Sequence, residues 1–268
     1  MIGDSIIIDK PNLKNESLVS FDKSPSEKTL TIIIPAFNES GRILETLESI
    51  DEYITKKSKS DLFYVIVVND GSSDDTKEVV ISWIGKCKNK KSFDLINYLP
   101  NRGKGHAVKE GFSKANTDLV MYTDADSASP IEEVEKLLDC IDNGYDVVCG
   151  SRILKSEKTK VIMGFKRRLV GLVFHFILRF LGLANLKDTQ CGFKLFKIQL
   201  AKKLISNQKC FNYSFDVEYL FLSKKFGYKI QEVSINWHHV EGSKVSLIRD
   251  SVKMLLEVLK IRFVYKYN

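Results

Sequence analysis

The chain has 268 residues, 44% of them hydrophobic and 28% charged, a balance that is typical of globular proteins and excludes a disordered or fibrous class. Its five cysteines are scattered without a C-x-x-C spacing, which argues against a disulfide framework and a zinc site and fits a reducing compartment. The net charge of +7 is uneven, because residues 1–150 carry 18 basic and 26 acidic side chains whereas residues 151–268 carry 23 and 8. The basic second half indicates a phosphate-bearing partner: nucleic acid, anionic lipid or a phosphorylated substrate.

The chain begins with a polar, irregular stretch over residues 1–28, which predicts an N-terminal arm. No charged lead precedes a long apolar run there, so we expect no signal peptide. The first strand is predicted at residues 30–34, because this run is continuously apolar and stops at Pro35. A helix is predicted next, over about residues 40–54, because its apolar side chains recur at helical spacing.

Strand and helix alternate up to about residue 150. Further strands are predicted at residues 62–68, 93–98, 118–123 and 146–151, with a helix before each of the last three. This alternation is typical of an α/β fold with a mostly parallel sheet flanked by helices, in which ligands bind at the carboxyl ends of the strands. Polar clusters follow all five strands, so we expect a binding site at that edge: PAFNES, NDGSSDD, NRGKG, DAD and GSR.

Two apolar segments in the second half are predicted to be helices that lie in a membrane interface. The first covers residues 161–186 and is interrupted by His175 and Arg179, which leaves it too short and too charged for a spanning helix. The second is an amphipathic helix over residues 245–268. Its predicted apolar face carries Ile248, Val252, Leu255, Leu256, Leu259 and Phe263, and its polar face carries Arg249, Lys253, Glu257 and Lys260. A helix pair packed on the sheet stays open as the alternative.

Asp124 and Asp126 follow the fourth predicted strand, in a stretch without basic residues. Two unpaired carboxylates repel each other and lose hydration on burial, whereas a divalent cation removes both penalties. Mg²⁺ typically takes one or two carboxylates and completes its shell with water and substrate phosphates. The pair therefore indicates a metal site that carries a diphosphate. The alternatives are a solvated loop, or a cap by Asp126 or Ser127 on the helix after Pro130.

Three more side chains at the same edge are candidates for contacts with a nucleotide or a phosphate. Asp70 is predicted to accept hydrogen bonds from a base or ribose, the alternative being an Asp-Gly turn. Lys104 stands at a helix start, where an anion is favoured. Arg152 is a candidate phosphate clamp, the alternative being a surface arginine. His238 and His239 point to opposite faces of an extended segment, so we expect structural or rim roles for them.

Four motifs of the first half stand in the order and spacing of the inverting nucleotide-sugar glycosyltransferases of family 2, which have the GT-A fold: TIIIPAFNES, VIVVNDGSSDDT, NRGKGHAVKEGF and TDADSASP. In the second half, the segments that resemble the branch making dolichyl-phosphate β-glucose are CGSR, DTQCGFKLF, FDVEYLF and NWHHVEGSK. The resemblance covers roughly residues 30–265. It implies a GT-A domain over residues 29–244, with a nucleotide-sugar half up to about residue 150 and an acceptor half after it.

The resemblance also implies a role for each matching residue. The donor side would comprise Pro35, Ala36, Asn38 and Glu39 around uridine, Asp70 on the base, Lys104 near the nucleotide, and Asp124 and Asp126 on Mg²⁺ or Mn²⁺ at the diphosphate. The acceptor phosphate would be faced by Arg152, Asp188, Gln190, Lys194, Ser243 and Lys244. The catalytic set would be Asp124, Asp126 and Arg152.

The reaction implied by the resemblance transfers glucose from UDP-glucose, with inversion, to the phosphate of a dolichyl-type polyprenyl phosphate. A phosphate monoester has a second pKa of about 6, so it is largely ionised at neutral pH and needs no strong general base. We therefore expect Asp188 to orient a neighbouring Lys or Arg rather than to take a proton. Ala128 stands where the mannosyl branch often has Gln, which favours glucose over mannose.

The expected partners are a nucleotide-sugar donor, a polyprenyl phosphate lipid and a membrane surface, but no nucleic acid; the oligomeric state stays open. Eukaryotic glucosyl enzymes usually begin with a membrane-spanning helix, which residues 1–29 do not resemble, so we expect peripheral attachment at the cytoplasmic face of a membrane. One alternative is a family 2 transferase that uses GDP-mannose, UDP-GlcNAc or a saccharide acceptor. The other is a non-catalytic module that binds nucleotides or polyanions.

Overall fold

The computed structural model describes residues 6–7, 28–58, 60–154, 156, 159, 161–162, 177–179, 181–182, 186–240 and 249–267. Most of the predicted N-terminal arm and most of the predicted helix over residues 161–186 lie outside these residues. Ser243, Lys244 and Ile248 lie outside them as well, so the structure does not place the roles predicted for them.

The described residues form ten strands. They are β1 (Ile6–Ile7), β2 (Leu30–Ala36), β3 (Phe63–Asp70), β4 (Phe93–Tyr98), β5 (Leu119–Tyr122), β6 (Val147–Ser151), β7 (Val161–Ile162), β8 (Lys194–Lys197), β9 (Ile230–Ser234) and β10 (Trp237–His238). Strands β7 and β10 pair in a small parallel sheet of their own. The other eight strands form the main sheet.

The described α-helices are α1 (Ile43–Lys57), α2 (Thr76–Ile84), α3 (Lys104–Lys114), α4 (Val134–Asp142), α5 (Ile198–Asn207), α6 (Phe215–Lys225) and α7 (Arg249–Phe263). Short 3-10 turns precede β4 at Lys90–Ser92 and α4 at Ile131–Glu133. Helices α1 to α4 lie between successive strands of the first half, as the alternating sequence pattern predicts.

Strand β2 lies inside the main sheet, parallel to β3 on one side and to β5 on the other. The strand order is β1-β4-β3-β2-β5-β8-β6-β9. The pairs β3–β4 and β6–β9 are also parallel, whereas β1 is antiparallel to β4 and β8 is antiparallel to both of its neighbours. The prediction of an α/β fold with a mostly parallel sheet is therefore confirmed.

Strand β8 was not predicted from the sequence. It lies between β5 and β6, with Lys194 opposite Tyr122 and Lys197 opposite Leu119. A four-residue segment with lysine at both ends has no clear strand periodicity, so its place depends on pairing with two buried strands that are distant in sequence. The insertion of β8 brings the preceding segment, residues 188–193, to the edge of the sheet where β5 ends.

Helices cover both faces of the main sheet, and β2 sends alternate side chains to the two sides. Ile32 and Ile34 pack in the core under α1, α2 and α4, whereas Ile33 packs in the core under α3, α5, α6 and α7. All three side chains are completely buried. Burial on both faces explains why this strand is a continuous apolar run rather than an alternating one.

A helix is present in the predicted C-terminal segment, but its apolar residues divide between two sides. Met254, Val258 and Ile261 of α7 are buried and join the core of the domain. The apolar side chains that stay on the surface are Val252, Leu256, Leu259 and Phe263, which are 55%, 56%, 37% and 71% exposed. None of the helices in the described part of the chain has the length and apolar character required to cross a bilayer.

Candidate active site

The loops that follow β2 and β3 are joined by hydrogen bonds at the carboxyl edge of the sheet. Asn38 N donates to Ser72 Oγ (2.8 Å), and Ser73 N donates to Asn38 Oδ1 (2.8 Å). Glu39 N donates to Thr76 Oγ1 (2.8 Å). The side chains predicted to surround uridine thus lie together, at the end of β2 and in the turn after it: Pro35, Ala36, Asn38 and Glu39.

Asp70, the last residue of β3, holds the segment that leads into α3. Its carboxylate accepts hydrogen bonds from Asn101 Nδ2 (2.8 Å), Arg102 N (2.8 Å) and Gly103 N (2.9 Å). Burial raises the pKa of Asp70, although these hydrogen bonds act in the opposite direction. The sequence predicted a contact with the nucleotide base; the structure adds an internal role, because Asp70 fixes the backbone immediately before Lys104.

Lys104 is the first residue of α3, and its ammonium group contacts the carboxylate of Asp124. Burial by itself would lower the pKa of Lys104, but the carboxylates of Asp124 and Asp216 outweigh it and the net shift is upward. Lys104 is therefore protonated at neutral pH. The Lys104 side chain is 23% exposed and the Asp124 side chain is 39% exposed, so the carboxylate is the more accessible partner.

Asp126 lies beside this pair, with its carboxylate 4.0 Å from Arg42 Nη1. Burial and the neighbouring charge of Asp124 raise the pKa of Asp126. Its Oδ1 accepts a hydrogen bond from Ala128 N (3.2 Å). Neither the 3-10 turn at Ile131–Glu133 nor α4 has a side-chain cap, so the alternative in which Asp126 or Ser127 caps the following helix is not supported.

The two carboxylates fit a hard divalent cation such as Mg²⁺ or Mn²⁺, which prefers oxygen ligands. The contact between the Lys104 ammonium and Asp124 shows that this position already attracts a cation. Within the described ranges, no cluster of three or more His, Cys, Asp or Glu side chains could hold a metal ion. A two-carboxylate site is the kind that substrate phosphates and water complete.

Arg152 and Asp188 form a bidentate ion pair where β6 ends. Arg152 Nε lies 2.7 Å from Asp188 Oδ2, and Arg152 Nη2 lies 2.8 Å from Asp188 Oδ1. Burial alone would raise the pKa of Asp188, but Arg152 overcomes it and holds this pKa below its usual value. The Arg152 guanidinium also lies 5.7 Å from the centre of the Trp237 ring. The pair agrees with the expectation that Asp188 orients a neighbouring Lys or Arg, and its role in the reaction stays a prediction.

Gln190 and Lys194 occupy different environments. Gln190 is half-buried, and its Nε2 donates to Met254 Sδ of α7 (3.8 Å). Lys194 is completely buried, and its Nζ donates to Asp216 Oδ1 and to Cys191 O, both at 2.6 Å. The prediction that Lys194 faces the acceptor phosphate is therefore corrected. Pairing of β8 between β5 and β6 turns this side chain into the protein interior.

Three residues of the site were missed by sequence reasoning: Arg42, Gly192 and Asp216. Gly192 lies so close to Asp124 that an added Cβ would be 2.2 Å from Asp124 Oδ2. Its signal was present, because a glycine between apolar residues often marks a close approach. Arg42 and Asp216 stand at the starts of helices. Sequence alone gives no reason to connect these positions with a site formed after β5.

The two histidines lie near the rim, in line with the roles expected for them. His238 N donates to Ala128 O in the loop after Asp126 (3.0 Å), while the His238 side chain is exposed. The His239 ring lies against Trp237, with centroids 6.2 Å apart. The hydrogen bond of His238 N connects β10 to the loop that carries the carboxylate pair.

The order of these loops along the chain matches a known family. The model of glycosyl transferase family 2 matches residues 31–205, a range that includes Asp70, Lys104, the Asp124–Asp126 pair, Arg152 and Asp188. The chain belongs to glycosyl transferase family 2. It is therefore a glycosyltransferase, and the non-catalytic alternative is set aside.

Curated relatives are similar over most of their length. A dolichyl-phosphate beta-glucosyltransferase of Trichomonas vaginalis is 36% identical over 258 residues, which cover 92% of this chain and 76% of the relative. The proteins of the same name from Saccharomyces cerevisiae and Homo sapiens are 34% and 33% identical, over 88% and 94% of this chain and 75% and 80% of their own.

Solved structures share the fold. Glucosyl-3-phosphoglycerate synthase from Mycobacterium tuberculosis in complex with Mn²⁺ and UDP-glucose matches with a TM-score of 0.67 at 19% identity, over 88% of this chain and 79% of that chain. The same synthase with Mg²⁺ and UDP matches with a TM-score of 0.65 at 18% identity, over 88% and 79%. The predicted GT-A architecture is thus confirmed at the level of the fold.

Proposed function

We propose that this chain transfers glucose from UDP-glucose, with inversion, to the phosphate of a dolichyl-type polyprenyl phosphate. One observation carries the proposal: the segment from Asp188 to Gly192 joins an acidic site to a basic one. Asp188 pairs with Arg152 at one end of the segment, and Gly192 packs against Asp124 at the other. A diphosphate-bearing donor and a phosphate acceptor need these two neighbouring sites of opposite charge.

On the donor side, Asp124 and Asp126 would hold a divalent cation, whose charge stabilises the diphosphate leaving group as its bond to the sugar breaks. Lys104 adds a positive charge at the N-terminus of α3, where the backbone N–H groups also favour an anion. The turn that carries Asn38 and Glu39 would surround the uridine. Support for the donor comes from the shared fold of a synthase that binds UDP-glucose.

On the acceptor side, Arg152 would bind the phosphate through its planar guanidinium, which Asp188 holds in place. Asp188 is buried, ion-paired and low in pKa, so it is a poor proton acceptor. An ionised phosphate oxygen needs no proton acceptor in order to attack the anomeric carbon, whereas a sugar hydroxyl does. This difference favours a phosphate acceptor over a saccharide, and the names of the curated relatives favour dolichyl phosphate.

Helix α7 gives the acceptor side a surface for a membrane. Its exposed apolar side chains alternate with the basic side chains of Lys253, Lys260 and Arg262, a combination suited to an interfacial helix on anionic lipid. Gln190, two residues from Asp188, contacts Met254 of the same helix. We therefore propose peripheral attachment through α7, with the acceptor phosphate delivered next to Arg152 on the cytoplasmic face.

The function is tested with purified protein, a short polyprenyl phosphate, Mg²⁺ or Mn²⁺, and one radiolabelled donor at a time. UDP-glucose should give butanol-extractable, β-linked sugar phosphate, and GDP-mannose and UDP-GlcNAc should give far less. Omission of the lipid and its replacement by free glucose are the controls. Absence of extractable product with every donor, or transfer to the free saccharide alone, would rule out the proposed acceptor.

A further inference from the structure

A buried cluster below the candidate active site is made of Lys194, Asp216 and Tyr122. Lys194 Nζ lies 2.6 Å from Asp216 Oδ1, and the Tyr122 hydroxyl contacts the same carboxylate oxygen. Lys194 and Tyr122 are completely buried, and Asp216 is 5% exposed. A buried ion pair often contributes little net stability compared with apolar residues of similar size. Stability alone therefore does not account for this cluster.

The cluster is connected through the backbone to both sides of the site. Tyr122 and Lys194 are paired across β5 and β8, and each stands two residues from the contact between Asp124 and Gly192. Lys194 Nζ also donates to the carbonyl of Cys191, the residue before Gly192 (2.6 Å). The buried ammonium thus holds the peptide that packs on the metal-binding carboxylate.

The cluster is also electrostatically connected to Lys104. The start of α3 packs on the start of α6, since a Cβ added at Gly105 would lie 2.8 Å from Phe215 Cβ. Asp216 is the next residue after Phe215, and its carboxylate contributes to the raised pKa of Lys104, after the effects of burial and Asp124. Lys104 therefore contacts Asp124 at the surface, and the charge of Asp216 in the interior also acts on it.

We propose that Lys194 is a positioning residue for the donor site: it neutralises Asp216, so that Lys104 stays at Asp124 and meets the donor diphosphate. The inference rests on the proposed function. Without Lys194, Asp216 would be a buried carboxylate with no cation, and Lys104, whose helix packs against the start of α6, is the cation that we expect to compensate for it. Lys104 would then turn away from the donor.

The test compares Lys194→Met, Asp216→Asn and the double variant. Binding of UDP is measured by calorimetry with Mn²⁺ present, together with the KM for UDP-glucose and the thermal midpoint. We expect Lys194→Met to weaken UDP binding about 10- to 100-fold, the range found when supporting residues of a site are removed. The double variant should bind UDP more tightly than Lys194→Met, because the buried charge that attracts Lys104 is gone, but less tightly than the wild type, because the hydrogen bond to Cys191 O is still missing.

Asp216→Asn separates positioning from stability. It leaves a buried lysine without its carboxylate, so it should lower the thermal midpoint as Lys194→Met does, while UDP binding stays near the wild-type value. The matched control is Lys197→Met, on the same strand at the opposite edge of the sheet, where Lys197 Nζ pairs with Asp146 Oδ1 at 2.7 Å. It should leave UDP binding unchanged.

The inference is overturned by UDP binding of folded Lys194→Met within twofold of the wild type, or by equal losses of UDP affinity in Lys194→Met and Asp216→Asn. If Lys194→Met does not fold, Lys194→Gln replaces it with the same expectation, since glutamine keeps hydrogen bonds but no charge. A wild-type protein that forms no glycolipid and binds no UDP would refute the proposed function. Wild-type turnover with an unaffected Lys194 variant would refute the positioning role alone.

Discussion

The proposed donor side and the proposed acceptor side of the candidate site each contain an ion pair, but the more exposed member is the carboxylate in one pair and the cation in the other. In the Lys104–Asp124 pair the carboxylate is the more exposed member, at 39% against 23% for the lysine. In the Arg152–Asp188 pair the cation is the more exposed member, at 21% against 3% for the carboxylate. In the proposed function, the more exposed member of each pair meets a ligand of opposite charge, a cation at Asp124 and a phosphate at Arg152; Lys104 in addition faces the donor diphosphate. The proposed donor side thus exposes a negative group, as a cation requires, and the proposed acceptor side exposes a positive group, as a phosphate requires.

The largest effect is expected on the donor side, from Asp126→Asn. Loss of one cation-binding carboxylate should lower kcat/KM about 1000-fold, equivalent to ~4 kcal/mol of transition-state stabilisation. The thermal midpoint should not fall, because the substitution removes a carboxylate whose pKa is raised by burial and by the charge of Asp124. The matched control is Asp139→Asn, an exposed residue of α4. Near-full activity of Asp126→Asn would contradict the metal-binding role.

On the acceptor side, Arg152→Lys should raise the KM for polyprenyl phosphate about 10- to 100-fold, because a lysine cannot replace the bidentate fork and charged hydrogen bonds contribute about 1.5–3 kcal/mol. The affinity for UDP in the same variant should stay within about twofold, which provides an internal control. A substitution that weakened UDP binding and lipid-phosphate binding equally would show that the two sides are not the separate sites described above.

A smaller effect is expected at the surface of α7. Leu256→Glu should lower binding to vesicles that contain anionic lipid about tenfold, since burial of one leucine contributes about 1.5–3 kcal/mol. Raised salt should weaken the wild-type interaction. Ile81→Glu is the matched control, because Ile81 is an exposed apolar side chain of α2, at 40%. Equal vesicle binding by both variants would remove the membrane role of α7.

The smallest effect concerns pH and the helix that carries Lys104. Burial lowers the pKa of His106, and the nearby Glu110 opposes this shift only in part. Because the unfolded state binds the proton more readily, the stability associated with neutral His106 is complete above a pH of about 6.5 and declines as the pH falls below it. Denaturant unfolding should therefore show a larger loss between pH 7.5 and 5.5 for the wild type than for His106→Gln.

The acceptor pair should behave differently over the same pH range. Arg152 lowers the pKa of Asp188 against the effect of burial. The ion pair therefore stabilises the fold fully above the pKa of Asp in the unfolded chain, about 3.9, and this stabilisation is lost only as the pH falls through the lower pKa of Asp188 in the folded protein. Its contribution should be constant between pH 7.5 and 5.5. If the free energy of unfolding depended on pH equally in the wild type and in His106→Gln, the loss at low pH would not come from His106 and the proposed difference between the two sides would be contradicted.

The amino-acid sequence by itself determined the five parallel strands and the position of the carboxylate pair. A short, continuously apolar run such as residues 30–34 is typical of a strand buried on both faces of a sheet. Polar residues that follow several parallel strands lie together at the carboxyl edge of that sheet. Asp124 and Asp126 were therefore recognisable from local order alone. The ion pair between Asp188 and a neighbouring cation was predicted too, although Arg152 was not specified as that cation.

Only the tertiary structure decided where Lys194, a residue of the second half of the chain, lies relative to the candidate site. Lys194 is a charged residue in a short segment, and nothing local distinguishes a surface lysine from a buried one. The antiparallel pairing of β8 with β5 places it opposite Tyr122, and packing of α6 brings Asp216 to its ammonium group. Burial of a charge depends on a partner from a distant part of the chain, and sequence periodicity carries no information about such partners.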